Sequence, residues 1–250
     1  MDKKANIYIQ LMTEFVRIYG ALNIVQIGAN DGQINDPIYD FVMKNKEVTN
    51  IALIEPQASI IEYLEKNYEQ HPSSNIYNLA IGPEDSLKLF RVKPEYYDVF
   101  IQRYLQGSPN YRVPSGFTSS IKSHVEKHVT GNIPDNLSVE EVIEEIVIPC
   151  LTLTKFRQSI EWNEKIIHVL QIDTEGMDDQ IIYASDIKLN SPLMINFEHF
   201  HLAKENEEKL HDHLKQNGYH VYKYSNSDTI ATKFKLNIRR IQARSATLIN

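Results

Sequence analysis

The sequence predicts an α/β fold, a mostly parallel sheet with helices on both faces. Short apolar runs alternate along the chain with segments whose apolar residues recur at helical spacing. Several of those runs stop at a glycine or an acidic residue, as in VQIG, LQID and INFE. The last two, YHVYKY and TIATKF, alternate in polarity and are separated only by SNSD, which suits an antiparallel hairpin.

Each element follows from the same signals. Ile7, Leu11, Phe15 and Ile18 lie at helical spacing, and Gly20 is placed to end that helix. NIVQIG reads as a short buried strand, followed by a helix from Pro37 to Lys44 with Ile38, Phe41 and Val42 on one face. NIALIEP is a second strand, SIIEYLEKNYEQ a helix, and NIYNLAIG a third strand. SLKLFRV alternates and is expected to extend a sheet edge. From about 93 to 145 the periodicity dissolves, and so long a structureless loop is improbable in a compact domain. The segment is therefore expected to be a partly helical lid inserted between the third and fourth core strands, with SVEEVIEEI as one short helix. Alternation returns at IVIPCLTL; IIHVLQID is the fourth strand, MDDQIIYA starts a helix, and PLMINFEHF is the fifth strand. ENEEKLHDHLKQNG is a helix that Gly218 ends.

At 250 residues the chain is long enough for one domain, 1–250, with a substantial insertion. A net charge of −7 argues against nucleic acid as the main partner, because Lys and Arg dominate that binding. Lys233, Lys235, Arg239, Arg240 and Arg244 make a local basic run, read more simply as a solvated final segment. With a single cysteine, Cys150, no intrachain disulfide can form, and a reducing cytoplasm is the natural setting. Gln10, Thr13, Glu14 and Arg17 interrupt the apolar residues of the first segment, which suits an amphipathic helix and not a signal peptide. No apolar run approaches bilayer length. The expectation is a soluble cytoplasmic protein without a membrane span, homo-oligomerisation being left open.

In α/β sheets ligands bind beyond the carboxyl ends of the strands. The loop Gly28-Ala29-Asn30-Asp31-Gly32 lies there, after the first strand. A dinucleotide loop wants a third glycine, absent near Asn35, and Asp31 would repel a pyrophosphate. A cofactor with an ammonium, a carboxylate and a ribose fits better: backbone N–H groups for the carboxylate, acidic or amide side chains for the ammonium. Glu55, 23 positions after Gly32, is placed to accept both ribose hydroxyls. These demands describe S-adenosylmethionine.

VQIGANDG, IALIEP, NLAIG, VIPCLTL, HVLQIDTEGMD and INFEHFH, in that order, resemble the FkbM family of S-adenosylmethionine-dependent O-methyltransferases. The resemblance runs roughly from Ile24 to His201, excluding most of the insertion. It implies the class I methyltransferase (Rossmann-like) fold, with an antiparallel final hairpin. It also implies a cofactor held about Gly28, Ala29, Asn30, Asp31, Gly32, Glu55, Pro56, Ala80 and Asp173. In two places the chain departs from the family pattern. Gln26 stands where an acid usually helps hold the methionine end, so Asn30 and Asp31 are expected to take the ammonium; Asp178 stands where Glu is usual.

The fourth strand delivers Asp173 and Glu175, the fifth Glu198, His199 and His201. Parallel strands place these groups on one edge. There Asp173, Glu198 and His199 could hold Mg²⁺ or Mn²⁺, and His199 or His201 could take a proton from an acceptor hydroxyl. Simpler roles exist: Glu175 as a helix cap, or a histidine serving only as a partner of Glu198. Ser119-Ser120 resembles a family element lining the acceptor pocket, with a helix cap as the alternative. His124 and His128 share a helix face, but no acid lies near at ligand spacing, which favours a solvated surface. Tyr96, Tyr97, Phe100, Tyr104 and Tyr111 suit sugar stacking or insertion packing. The leading function is O-methylation of a small hydroxylated acceptor, a sugar or natural product. The alternatives are an NAD-linked oxidoreductase and a binding module without turnover.

Overall fold

The computed structural model describes residues 7–104, 109–236 and 247–248. Five strands form the parallel part of the main sheet: β1 (Leu22–Ile27), β2 (Thr49–Ile54), β3 (Ser74–Tyr77), and, following two short strands treated below as β4 and β5 and a longer β6, β7 (Val169–Ile172) and β8 (Met194–Glu198). The hairpin β9 (His220–Lys223) and β10 (Asp228–Thr232) adds antiparallel strands beside β8, and β11 (Thr247–Leu248) pairs with β9. The full order is β11-β9-β10-β8-β7-β1-β2-β3. Apart from the edge strand β11, which the sequence did not suggest, this is the sheet that the class I methyltransferase resemblance implies.

Continuous apolar runs are needed because both sheet faces are covered. Val25, Ile27, Ala52, Ile54, Leu170, Ile172, Ile195 and Phe197 face one way. They pack on α8 (Leu153–Ser159), α9 (Asp178–Ala184) and α10 (Lys204–Gln216) through Phe156, Ile181, Ile182, Leu210 and Leu214. Ile24, Ile51, Leu53, Val169 and Met194 face the other way, onto α1 (Ile7–Tyr19), α2 (Tyr39–Lys44) and α3 (Ala58–Tyr68).

The insertion is helical in short pieces: α4 (Tyr97–Tyr104), α5 (Arg112–Ser115), α6 (Lys122–Val129) and α7 (Val139–Val142). Its own core of Val92, Tyr97, Phe100, Tyr111, Val125, Val129 and Val142 closes on Ile60 of α3. The insertion thus explains Tyr97, Phe100 and Tyr111 as packing residues; the side chain of Tyr104 lies outside the described residues, as do Arg239, Arg240 and Arg244.

Four expectations need correction. SLKLFRV does not extend the main sheet: as β5 (Ser86–Val92) it pairs antiparallel with β6 (Ile143–Leu151), which also pairs with β4 (Ala80–Ile81) in a separate three-stranded sheet. NIYNLAIG is therefore two strands, not one. SVEEVIEEI is helical only over Val139–Val142, started by a Ser138/Glu141 capping box. Beyond it the alternating Ile143–Ile148 run finds β5 as a partner, with Arg91 and Glu144 paired across the strands at 2.8 Å, and strand wins over helix. Finally, Ile18 is 59% exposed, because the buried stripe of α1 is Ile7, Tyr8, Leu11, Met12 and Phe15.

This last assignment is testable by thermal or chemical unfolding. Phe15→Ala should cost roughly 3–5 kcal/mol, while Ile18→Ala should stay within about 0.5 kcal/mol of the parent.

Candidate active site

The central strands share one register: Ile54 pairs with Ile27, Ile27 with Ile172, and Ile172 with Phe197. The next residues, Glu55, Gly28, Asp173 and Glu198, therefore stand in a row along the carboxyl edge. Beside them opens a cleft lined by Gly28, Asn30, Glu55, Pro56, Ala80, Asp173 and Glu175, among others.

The two loop glycines serve the protein's own packing. A Cβ on Gly28 would lie 1.9 Å from the Asp173 carbonyl oxygen, and one on Gly32 would lie 2.5 Å from Leu64 of α3. Both residues also sit at positive φ, 79° and 66°. The loop amides are committed as well. Gly28 and Ala29 N–H groups donate to the Ile54 carbonyl, Gly32 N–H to the Ala29 carbonyl, Asn30 N–H to Glu55 Oε2, and Asp31 N–H to Asn30 Oδ1. The expected backbone cradle for a carboxylate is thus already filled.

Asp31 does not face the cleft. Buried, it accepts from Gln33 and Ile34 N–H through Oδ1 and from the Tyr111 hydroxyl through Oδ2, fastening the loop to the insertion. Ala29 is buried in the core on the α1 side. Gln26 donates to Asp36, whose other oxygen accepts from Ile38 and Tyr39 N–H. The residue in the usual acid position is therefore structural.

Glu55 is buried and accepts from Asn30 N–H and Gln57 N–H, each at 2.8 Å. Burial raises its pKa to about 7, against the pull of those two donors. Across the cleft stands a residue that sequence reasoning missed, Arg112 of α5. Its Nη2 donates to the Ile34 carbonyl, while its buried Nε has no hydrogen-bond partner and lies 3.9 Å from Asp31 Oδ2.

The other end of the row is acidic. Burial, then repulsion from Asp178, Glu175 and Glu198, holds the Asp173 carboxyl well above the usual range. Asp178 accepts from Thr174 N–H and Oγ1–H and from Glu198 N–H, so the shorter acid still ties the two strand tips together. Glu175, at φ 51° before Gly176 at 104°, does not cap α9; its Oε2 lies 3.2 Å from His201 Nε2. Glu198 Oε2 lies 3.4 Å from the same nitrogen.

The strand stops at Glu198, so His199 and His201 do not share a side. His199 is buried with Nδ1 3.0 Å from Thr229 Oγ1 of β10, and the set Asp173, Glu198 and His199 is not gathered. His124 takes that place. Its ring centre is 5.0 Å from that of His201, and a ligand atom from each of His124, Glu175 and His201 falls within 4.8 Å of the others. The solvated-surface reading of His124 and His128 is overturned, because the acid that spacing could not supply arrives from the β7 turn. Ser119 is buried, lines the cleft and donates to the Glu175 carbonyl; the N-cap of α6 is Ile121.

A mostly parallel sheet with this order, a reversed strand next to its last parallel one, and a cleft along the strand tips define a class I S-adenosylmethionine-dependent methyltransferase. The Methyltransferase FkbM domain matches residues 26–221, and the chain belongs to that family. No curated protein sequence matches it. Among solved structures it is similar to an O-methyltransferase from Bacillus cereus in complex with SAH (11% identity, 93% of this chain and 82% of that one, TM-score 0.44). It is also similar to precorrin-6y C5,15-methyltransferase from Geobacter metallireducens (12%, 93% and 92%, 0.40) and to a putative O-methyltransferase from Klebsiella pneumoniae (9%, 93% and 80%, 0.41). Among the described residues no helix is long and apolar enough to cross a membrane.

The raised carboxyls make stability depend on pH. Glu55 ionises above about 4.5 when unfolded but near 7 in the fold, and buried Asp36 is likewise lifted from 3.8 to about 6. The fold keeps protons that the unfolded chain releases, so stability is fullest below these lower values and falls as pH rises through the upper ones. For Glu55 the loss is of order 3 kcal/mol. Calorimetric melting of the ligand-free protein should show a falling Tm from about pH 5 to 7.5, and Glu55→Gln should flatten part of that fall.

Proposed function

We propose that the chain transfers a methyl group from S-adenosylmethionine to a hydroxyl of a small acceptor, such as a sugar or a natural product. One observation carries the reading: a single cleft leads from the buried carboxylate of Glu55 to Glu175, which is bonded to an imidazole.

The residues present fit the cofactor. Leu79, Ile81, Leu87 and Leu89 offer an apolar wall for the base. Glu55 retains a lone pair on each oxygen for ribose hydroxyls after accepting its two N–H groups. Arg112, which lines the cleft, brings a guanidinium charge for the carboxylate, in place of the loop amides. Asp173, facing the cleft among other acids, suits the ammonium or the cationic sulfur. The same acids disfavour a pyrophosphate, and with it the NAD reading.

When bound, S-adenosylmethionine supplies a methyl group on a cationic sulfur, and its transfer to a hydroxyl leaves one proton for the chain to take up. Positioning does much of the work of such a reaction. The Glu175–His201–Glu198 cluster is the proton acceptor, its two carboxylates flanking one nitrogen and favouring its protonated form. Glu175 leads the pull that raises the His201 pKa. Asp178 is a positioning residue, since it holds Thr174 and the Glu198 backbone.

Titration calorimetry with S-adenosylhomocysteine tests the reading, and absence of binding overturns it. Glu55→Ala and Arg112→Ala should each weaken affinity by about 10–100-fold, as expected for lost hydrogen bonds to a charged group. With an acceptor found by screening glycosides, Asp173→Ala should abolish turnover. Glu198→Ala should lower kcat while leaving S-adenosylhomocysteine affinity close to that of the parent.

A further inference from the structure

We propose that the mouth of the cleft is a binding site for a divalent transition metal, held by His124, Glu175 and His201 with His128 beside them; its catalytic use rests on the methyl-transfer reading, its existence does not. The three ligands come from three elements: α6 of the insertion, the turn after β7, and the loop after β8. One donor atom of each lies within 4.8 Å of the other two.

The shorter gaps match a coordination shell. Glu175 Oε2 and His201 Nε2 are 3.2 Å apart, and the His124 and His128 Nε2 atoms 3.0 Å. Donors bound at about 2.0–2.2 Å in a tetrahedral or octahedral shell are separated by roughly 3–3.5 Å. The Glu175 and His201 side chains are partly exposed, which leaves them room to turn toward an ion. His128 is held ready by Phe117, whose ring stacks on it at 4.9 Å.

Charge supports the same site. Among the described residues Glu175 and Glu198 form ion pairs only with His201. A dication would offset that excess. An imidazole-rich donor set favours Zn²⁺, Co²⁺ or Ni²⁺ and not the oxygen-seeking Mg²⁺, which revises the metal expected from the sequence. Bound there, a metal would polarise the acceptor hydroxyl and lower its pKa. With a metal in place His201 would no longer take the proton, and the O–H bond would break with its proton passing to Glu198, the member of the acceptor cluster outside the ligand trio.

The test uses the full chain carrying no histidine tag. Metal-free protein titrated with Co²⁺ should develop ligand-field absorption, and elemental analysis after Zn²⁺ loading should give one ion per chain. His124→Ala and His201→Ala should each weaken binding by more than the roughly 10–100-fold typical of outer-shell changes. Melting curves without metal establish that both variants fold. Binding by the parent no tighter than by both variants overturns the site. S-adenosylhomocysteine calorimetry in the presence of a chelator separates the two readings. Cofactor binding without metal binding overturns the metal site alone, whereas metal binding without cofactor binding upholds it and overturns the methyl-transfer reading.

Discussion

The common register of four parallel strands is the constraint on which the rest of the site depends. Ile54, Ile27, Ile172 and Phe197 are cross-strand neighbours, so Glu55, Gly28, Asp173 and Glu198 reach the sheet edge together. Because side chains alternate, a one-residue slip of β2, β7 or β8 would turn its terminal acid toward the core and an apolar residue toward the cleft. The ladder continues past the strands: Gly28 N–H donates to the Ile54 carbonyl and Asp173 N–H to the Ile27 carbonyl. That closeness leaves no space for a side chain at position 28, so its glycine answers first to the sheet.

Concentrating acids on one edge has an electrostatic cost, which the chain offsets unevenly. Glu55 accepts two backbone N–H groups, Asp178 accepts from Thr174 and the Glu198 backbone, and Asp36 accepts from two N–H groups and Gln26. Among the described residues the Asp173 carboxylate has no such hydrogen bond, although it is the one most crowded by other acids. A carboxylate left in that state is complementary to a cation. The proposed sulfonium end of the cofactor and the proposed metal would relieve the same excess from two sides.

Order and type of the core elements were legible because continuous apolar runs and helical spacing both carry physical information about burial. The glycine loop and Glu55 were legible for the same reason, since they terminate such runs. What escaped depends on distant partners. SLKLFRV alternates equally well for any neighbour, and only the fold shows that β6 is that neighbour. Asp31 read as a ligand group because Tyr111, its partner, lies 80 positions away. The choice between His199 and His201 turned on whether β8 outlasts Glu198, and strand ends are what periodicity locates worst. His124 had no visible acid because Glu175 reaches it through space.

The insertion also explains why the loops after β1 and β2 cannot be treated as independent of it. Arg112 donates to the Ile34 carbonyl, Gln57 donates to the Ser115 carbonyl, and the Thr118 hydroxyl donates back to Gln57. With the Tyr111–Asp31 bond, these contacts fasten α5 and the segment after it to the loops that follow β1 and β2. A substitution that loosened this net would disturb Asn30 and Glu55 as well as the mouth. Residues outside it, such as Ile121 and Phe200 at 48% and 68% exposure, are free of that coupling. Substitution at such positions should therefore leave Asn30 and Glu55 in place, whereas Arg112 and Ser115 cannot be changed without touching the loops that carry them.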